Sequence, residues 1–178
     1  EIPSVVGERY FHEVFFTDVT VPSSVLLGPE NNGWDVVNYA LQFERIGAAR
    51  YARAAVTLDK LADIAAERGM LDDPIIVDRL GEARALCEAA RVLVYKVIDI
   101  RAKDRPPTAD TQLARVLSTT CDNAIGRLAL DICGPESLKY ASFADTNFRL
   151  AMTAGIAVGA TEVQLNLIAS RFLDLPKD

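Results

Sequence analysis

WDVVNYALQFERIGAARYARAAVTLDKLADIAAER, residues 34–68, decides the fold. Within it Val37, Leu41, Glu44, Ala48, Tyr51, Ala55, Leu58, Ala62 and Ala65 recur at steps of three and four, the spacing that lines up side chains on one face of an α-helix. No proline interrupts the stretch, and at about 1.5 Å per residue a single helix over it is roughly 50 Å long. The pattern repeats downstream. Ile76, Leu80, Ala83, Cys87, Ala90, Val94 and Val97 run in phase over 75–103, with Leu86, Leu93 and Ile100 on a second face. A helix apolar on two faces sits between neighbours. Leu113, Leu117, Cys121, Ala124, Leu128 and Ile132 form a third stripe, opened by Thr108 as N-cap after Pro106-Pro107 and closed by Gly134-Pro135. A fourth stretch, 137–175, is broken near Gly155 and Gly159. Inside it Thr161-Glu-Val-Gln164 has the form of a capping box that opens a helix through Phe172. Short connections between long helices predict antiparallel neighbours, so the fold class is all-α, an up-down four-helix bundle.

Upstream the texture changes. Arg9 to Val21 is rich in aromatic and β-branched residues, and Tyr10, His12, Val14 and Phe16 alternate, which predicts a strand or two. One or two strands are not stable alone. Residues 1–28 are therefore read as the tail of another domain and 29–178 as the bundle.

Composition narrows the function classes. Half of the 178 residues are hydrophobic and a quarter charged, which excludes a disordered or fibrous chain. Charges interrupt every apolar stretch, so none reaches the roughly 20 residues that span a bilayer. Net charge is −6, with Lys and Arg scattered, and offers no footprint for nucleic acid or anionic lipid. Cys87, Cys121 and Cys133 form no C-x-x-C pair, and with one histidine, His12, they cannot make an ordinary closed zinc site. They read as small buried hydrophobes in a reducing compartment such as the cytoplasm.

Glu44 is the carboxylate to question, because it lies in the apolar stripe between Leu41 and Ala48. Two readings are open. Burial without a partner raises a carboxyl pKa towards the range of a general base; alternatively Arg45, or an arginine from another helix, neutralises it in a structural pair. Asp145 stands in Ser142-x-x-Asp145, a helix-start pattern, and reads as part of a cap. Asp72-Asp73 before Pro74 reads as a solvated turn or cap, His12 as structural or solvent-facing, and Trp34 as a core anchor at a helix start.

Several of these landmarks together resemble the acyl-CoA dehydrogenase family. Phe16-Thr-Asp-Val-Thr-Val-Pro22 followed by Leu27-Gly-Pro-Glu-Asn-Asn-Gly-Trp34 is similar to that family's last β-domain strand and its entry into the C-terminal helical domain. Phe43-Glu44-Arg45 resembles the "ER" of the first long helix. Gly159-Ala-Thr-Glu-Val-Gln164, with Ile168-Ala-Ser-Arg171 and Leu173-x-Leu-Pro176, resembles the closing "GTSEIQ…IAR…LglP" segment. The resemblance runs over nearly the whole chain. It implies a helical C-terminal domain preceded by an N-terminal helical domain and most of a β-domain.

The resemblance also implies a chemistry. The family oxidises the Cα–Cβ bond of an acyl-CoA thioester in lipid β-oxidation, a glutamate removing the α-proton while the β-hydrogen leaves as hydride to FAD. Most members carry that glutamate immediately before the "GTSEIQ" glycine, where this chain has Val158. A minority, the isovaleryl-CoA and long-chain types, carry it in the "ER" helix, which is Glu44 here. Arg45 is then placed near the thioester or the carboxylate. Expected cofactor contacts are Arg68, Asp131, Gly134 and Pro135, from the segments that reach a neighbouring subunit's FAD, and Ala160, Thr161 and Glu162, at a helix N-terminus suited to phosphate. Departures from the pattern are concentrated in the first group. Asp131 replaces a glutamine, Pro135 replaces a glycine, and Leu150 follows Arg149 where the family has aspartate. An amide donor and a backbone N–H are thereby lost and a negative charge gained. Such losses resemble the decay seen in subunits of heteromeric actinobacterial steroid-degrading relatives. The implied assembly is a homo- or hetero-tetramer that passes electrons to electron-transfer flavoprotein.

Overall fold

Six α-helices are present in the structure, a computed structural model that describes residues 1–9, 11–44, 48–106, 108–157 and 159–176, with the backbone alone for 42–44 and 48. The chain divides into two compact units, Glu1–Arg45 and Ile46–Asp178.

In the first unit Ile2 and Phe11 form one antiparallel bridge, the Ile2 N–H donating to the Phe11 carbonyl at 2.7 Å. The strand expected over 9–21 does not otherwise form among the described residues. Beyond that bridge its residues meet no second strand among the described residues, and an extended segment without a ladder has nothing to hold its backbone groups. A tight turn leads to α1 (Gly33–Glu44). At Gly28 φ is +81° and a Cβ would stand 2.6 Å from Val36 Cγ2, so only glycine serves there. Trp34, expected as a core anchor, is 75% exposed and anchors no core within this chain.

The second unit holds α2 (Ala48–Glu67), α3 (Pro74–Ala102), α4 (Asp110–Cys133), α5 (Phe143–Ala154) and α6 (Thr161–Phe172). The stretch expected as one long helix is helical on both sides of residues 45–47, which lie outside the described residues. Asp73 caps α3 as expected, accepting from the Ile75 N–H at 2.9 Å with Pro74 in the first turn. Thr108 does not cap α4. Ala109 is already helical at φ −59° and takes that position, and the Thr108 hydroxyl instead accepts from the Asp110 N–H at 3.3 Å.

Cross-helix partners fix the directions. Arg79–Asp131, Cys87–Cys121 and Lys96–Asp110 descend along α4 as they ascend α3, so these two helices are antiparallel. Asp59–Arg84 and Tyr51–Tyr95 make α2 and α3 antiparallel in the same way, and Thr119–Ala154 with Gly126–Ala151 does so for α4 and α5. The helices α2 to α5 therefore run up-down-up-down, and α6 packs on α4, which also touches α2, α3 and α5. Leu58, Leu61, Cys87, Val94, Cys121, Leu128 and Ile132 are the largest fully buried side chains, and all but Leu61, which takes the buried place expected for Ala62, lie in the three predicted stripes. The three cysteines are buried free thiols. Among the described residues, no helix is long and apolar enough to cross a membrane.

Candidate functional site

Residues singled out in the sequence fall in three places. Glu44 is the last residue of α1; its side chain, Arg45 and Val158 lie outside the described set. The others occupy two ends of the second unit.

Arg68, Asp131, Gly134 and Pro135 meet at the C-terminal end of α4. The last carbonyls of a helix have no intrahelical partner and carry the negative end of its dipole. Arg68, just past α2, supplies one: its Nη1 donates to the carbonyls of Ile132 at 3.0 Å and Cys133 at 2.9 Å. Asp131, in the last turn of α4, forms an ion pair with Arg79 of α3. Gly134 turns the chain at φ +56°, its N–H bonding the Leu130 carbonyl, and Pro135 begins a short 3-10 turn over Gly134–Leu138. That turn is closed by Ser137 Oγ donating to the Gly134 carbonyl at 2.6 Å. On the exposed side Lys139 hydrogen-bonds Glu136 and holds its carboxyl below the usual range. This end does not fit as a cradle for a neighbour's flavin phosphates. Its carboxylate repels an anion, Pro135 offers no N–H, and Arg68 and Arg79 already serve groups of this chain.

Ala160, Thr161 and Glu162 stand at the other end, where α6 begins. The capping box does not form. Ala160 occupies the N-cap position at ψ 149° and its carbonyl accepts from the Gln164 N–H at 3.0 Å, so the helix starts one residue earlier than the box requires. Thr161 becomes the first helical residue, with its N–H donating to the Gly155 carbonyl at 3.0 Å, and no side chain caps α6. Before it Gly159 stands at φ +93°, and a Cβ there would lie 2.3 Å from the Gln164 Nε2. Gln164 is 2% exposed, and its amide nitrogen has no hydrogen-bond partner among the described residues. A bare helix N-terminus behind a glycine turn, with an orphaned buried donor beside it, fits an anionic group.

Beneath this turn is a polar cluster that the sequence reading missed. Arg115, 5% exposed, donates to the carbonyls of Ala154 and Ala157 and to Thr119 Oγ1. Arg50 Nη1 also reaches the Ala154 carbonyl, at 3.3 Å. These contacts hold the C-terminal end of α5 and so place the loop that leads into α6. Two turns along α4 from Arg115, Asp122, 6% exposed, accepts from Arg53 at 3.0 Å. The available signal was a second helical stripe, Arg115, Ser118, Thr119 and Asp122, in which two hydroxyls stand between opposite charges. The α6 end, at Thr119, is separated from Cys133 by 14 residues of α4, or about 21 Å.

Comparison with known proteins places these features in a family. Residues 31–173 match the model of the acyl-CoA dehydrogenase C-terminal domain. The acyl-CoA dehydrogenase IpdE1 of Mycobacterium tuberculosis is 27% identical over 99% of this chain and 47% of its own length. The mitochondrial short-chain specific acyl-CoA dehydrogenase of Mus musculus is 26% identical over 90% of this chain and 40% of its own. Among solved structures, butyryl-CoA dehydrogenase from Megasphaera elsdenii superposes with a TM-score of 0.82 at 26% identity, over 89% of this chain and 43% of that one. A structure called the Tcur3481-Tcur3483 steroid ACAD superposes with a TM-score of 0.85 at 23% identity, over 99% of this chain and 48% of that one, and shows the same fold. The chain spans about half the length of the relatives it matches.

Proposed function

The chain belongs to the acyl-CoA dehydrogenase family, whose C-terminal domain it matches, and from that premise we propose that it is the C-terminal helical domain of an FAD-dependent enzyme catalysing α,β-dehydrogenation of an acyl-CoA thioester. The observation that carries the reading is the start of α6, where a 12-residue helix opens behind Gly159 without any side-chain cap. Ala160 and Glu162 supply leading backbone N–H groups that would hold an anionic part of the cofactor, and Thr161, whose N–H is taken by the Gly155 carbonyl, would offer its hydroxyl. FAD, when bound, supplies the hydride acceptor for the β-hydrogen. Glu44 is the base in this reading: its carboxylate takes the α-proton, and the electron pair left at Cα forms the double bond as the β-hydrogen departs with its own pair. Arg45 orients that carboxylate or the thioester. Val158 has no proton-accepting group, which leaves the "ER" helix as the source of the base. A tetramer in the cytoplasm that hands its electrons to electron-transfer flavoprotein completes the proposal.

A second reading, a supporting subunit of a heteromeric acyl-CoA dehydrogenase, is favoured by one observation. At the end of α4, the groups expected to reach a neighbour's flavin are engaged within the chain, Arg68 on two carbonyls and Asp131 on Arg79.

The deciding experiment follows the flavin spectrum during anaerobic addition of a panel of acyl-CoA thioesters, using the full-length protein with and without its genomically adjacent partner chain. Bleaching in the wild type that disappears in Glu44→Gln establishes Glu44 as the base and identifies the substrate class. Bleaching that persists unchanged in Glu44→Gln, and requires the partner, establishes the supporting role.

A further inference from the structure

Gln164 carries an inference beyond the residues assigned so far. It is the fourth residue of α6, and helical side chains lean towards the N-terminus, so its amide reaches back over the turn that opens the helix. There it fills the space a Cβ of residue 159 would need, 2.3 Å from that ideal position. Its Nε2 is buried and unpaired. A buried donor without an acceptor is a standing cost to the fold, and such groups call for an explanation. The residue in contact with it is a glycine at φ +93°, the one residue type whose flanking peptide rotates with little steric penalty.

We propose that Gln164 is a positioning residue for the cofactor bound at the α6 N-terminus, its buried amide receiving the Gly159 carbonyl when the Gly159–Thr161 turn closes on an anionic group. Rotation of that peptide satisfies the Gln164 donor and turns the following N–H outward, adding to the donors at the helix start. Closure is thereby coupled to binding, because the donor is unpaired before it and paired after it. This rests on the reading of the chain as part of an FAD enzyme.

The test compares wild type, Gln164→Met and Gln164→Glu in the full-length protein, together with its partner chain if the complex is the form that holds flavin. FAD affinity is measured by flavin fluorescence, and the thermal midpoint is measured on the flavin-free protein. The expected result is FAD binding weakened about 10- to 100-fold in both variants, with the flavin-free midpoint of Gln164→Met unchanged or raised, since no hydrogen bond is removed from the free state. A packing role alone gives the opposite: a lowered midpoint and unaltered affinity. Unchanged FAD affinity, or a lowered flavin-free midpoint in Gln164→Met, overturns the proposal. Wild type that holds no FAD in either form overturns the cofactor reading itself.

Discussion

Arg68 Nη1 donates to the Cys133 carbonyl at 2.9 Å, tying the end of α2 to the end of α4 across the bundle. The same nitrogen reaches the Ile132 carbonyl, so a residue expected to face a neighbour's cofactor acts here as a C-cap for another helix. Removing it leaves two carbonyls of the last turn to water and weakens the α2–α4 junction. Arg68→Ala is expected to lower stability by about 1–2 kcal/mol, a charged hydrogen bond discounted for the exposure of the side chain. Urea denaturation reads it, with Arg68→Lys recovering part of the loss. An unchanged midpoint would show the contact to be inert and return Arg68 to the set of groups open to a partner.

Arg115 is the buried counterpart. Its guanidinium satisfies the Ala154 and Ala157 carbonyls and the Thr119 hydroxyl at once. Arg115→Met keeps the length and removes every donor, leaving the Ala154 carbonyl to the longer bonds from Arg50 and Thr119 and releasing the Ala157 carbonyl from the bundle. The expected loss is about 3 kcal/mol or more. Amide hydrogen exchange should accelerate first between α5 and α6, since that loop is what the guanidinium holds. Uniform acceleration over α2 to α6 would mean that Arg115 supports the whole bundle and not the loop.

Gly126 and Ala151 mark the closest approach of α4 and α5. A Cβ on Gly126 would sit 2.8 Å from the Ala151 Cβ and 3.3 Å from the Phe148 backbone. Two helix backbones cannot yield as a side-chain tip would, so Gly126→Ala is expected to cost about 1–3 kcal/mol by overpacking. Ala151→Gly should recover most of that in the double variant. The double-mutant cycle checks it: additive losses in place of rescue would remove the close approach as the cause.

These three positions also show what the sequence could and could not disclose. The apolar stripes at steps of three and four located α2, α3 and α4 and about half of the core, because burial of a helix face leaves its period in the sequence, while Ala54, Leu61, Ala114, Ile125 and Ala129 are buried beside those stripes. Gly126 lies off that stripe, and its role depends on how closely a helix 25 residues away in the chain approaches it. Arg115 drew no reading because its stripe is polar, and its burial depends on the α5–α6 loop, whose Ala154 and Ala157 carbonyls it holds. The strand over 9–21 showed the opposite failure, since alternation signals a pleated segment only where a second strand is present. At the candidate site, Ser142 and Asp145 were legible as a cap, whereas the α6 start was displaced by one residue because the Ala160 carbonyl, invisible in the residue types, took the first helical bond.

The Ser142–Asp145 cap makes a pH prediction. The Asp145 carboxylate accepts from Arg149 at 2.7 Å and from the Ala141 N–H at 2.9 Å, and the Arg149 bond foremost holds its pKa below the ordinary value. A carboxyl depressed in the folded state adds stability that is complete above its unfolded pKa and is lost as pH falls through the folded one. The unfolded value is 3.8, so the contribution is intact at neutral pH and disappears below that point. Asp145→Asn should therefore unfold at lower urea than wild type near neutral pH, with the gap closing as the pH falls below 3.8 and through the depressed folded value. A gap that persists undiminished at the acid end would assign the effect to packing.

Thiol chemistry offers a last check on the core. Cys87 and Cys121 face each other between α3 and α4, both buried, and burial pushes the Cys121 thiol up to about 12 and raises Cys87 as well. Cys133 is raised for the same cause. The thiolate is the reactive form, so at neutral pH both its population and its access are minimal. Native protein in which the cysteines of this chain are the only ones, the others having been replaced by serine, should leave all three unreacted with a chromogenic disulfide reagent. Guanidinium should release three equivalents together, because the three side chains belong to one cluster and open with it. Labelling of one cysteine well before the others in native buffer would reveal an opening of that part of the bundle, and its position would show which helix pair separates first.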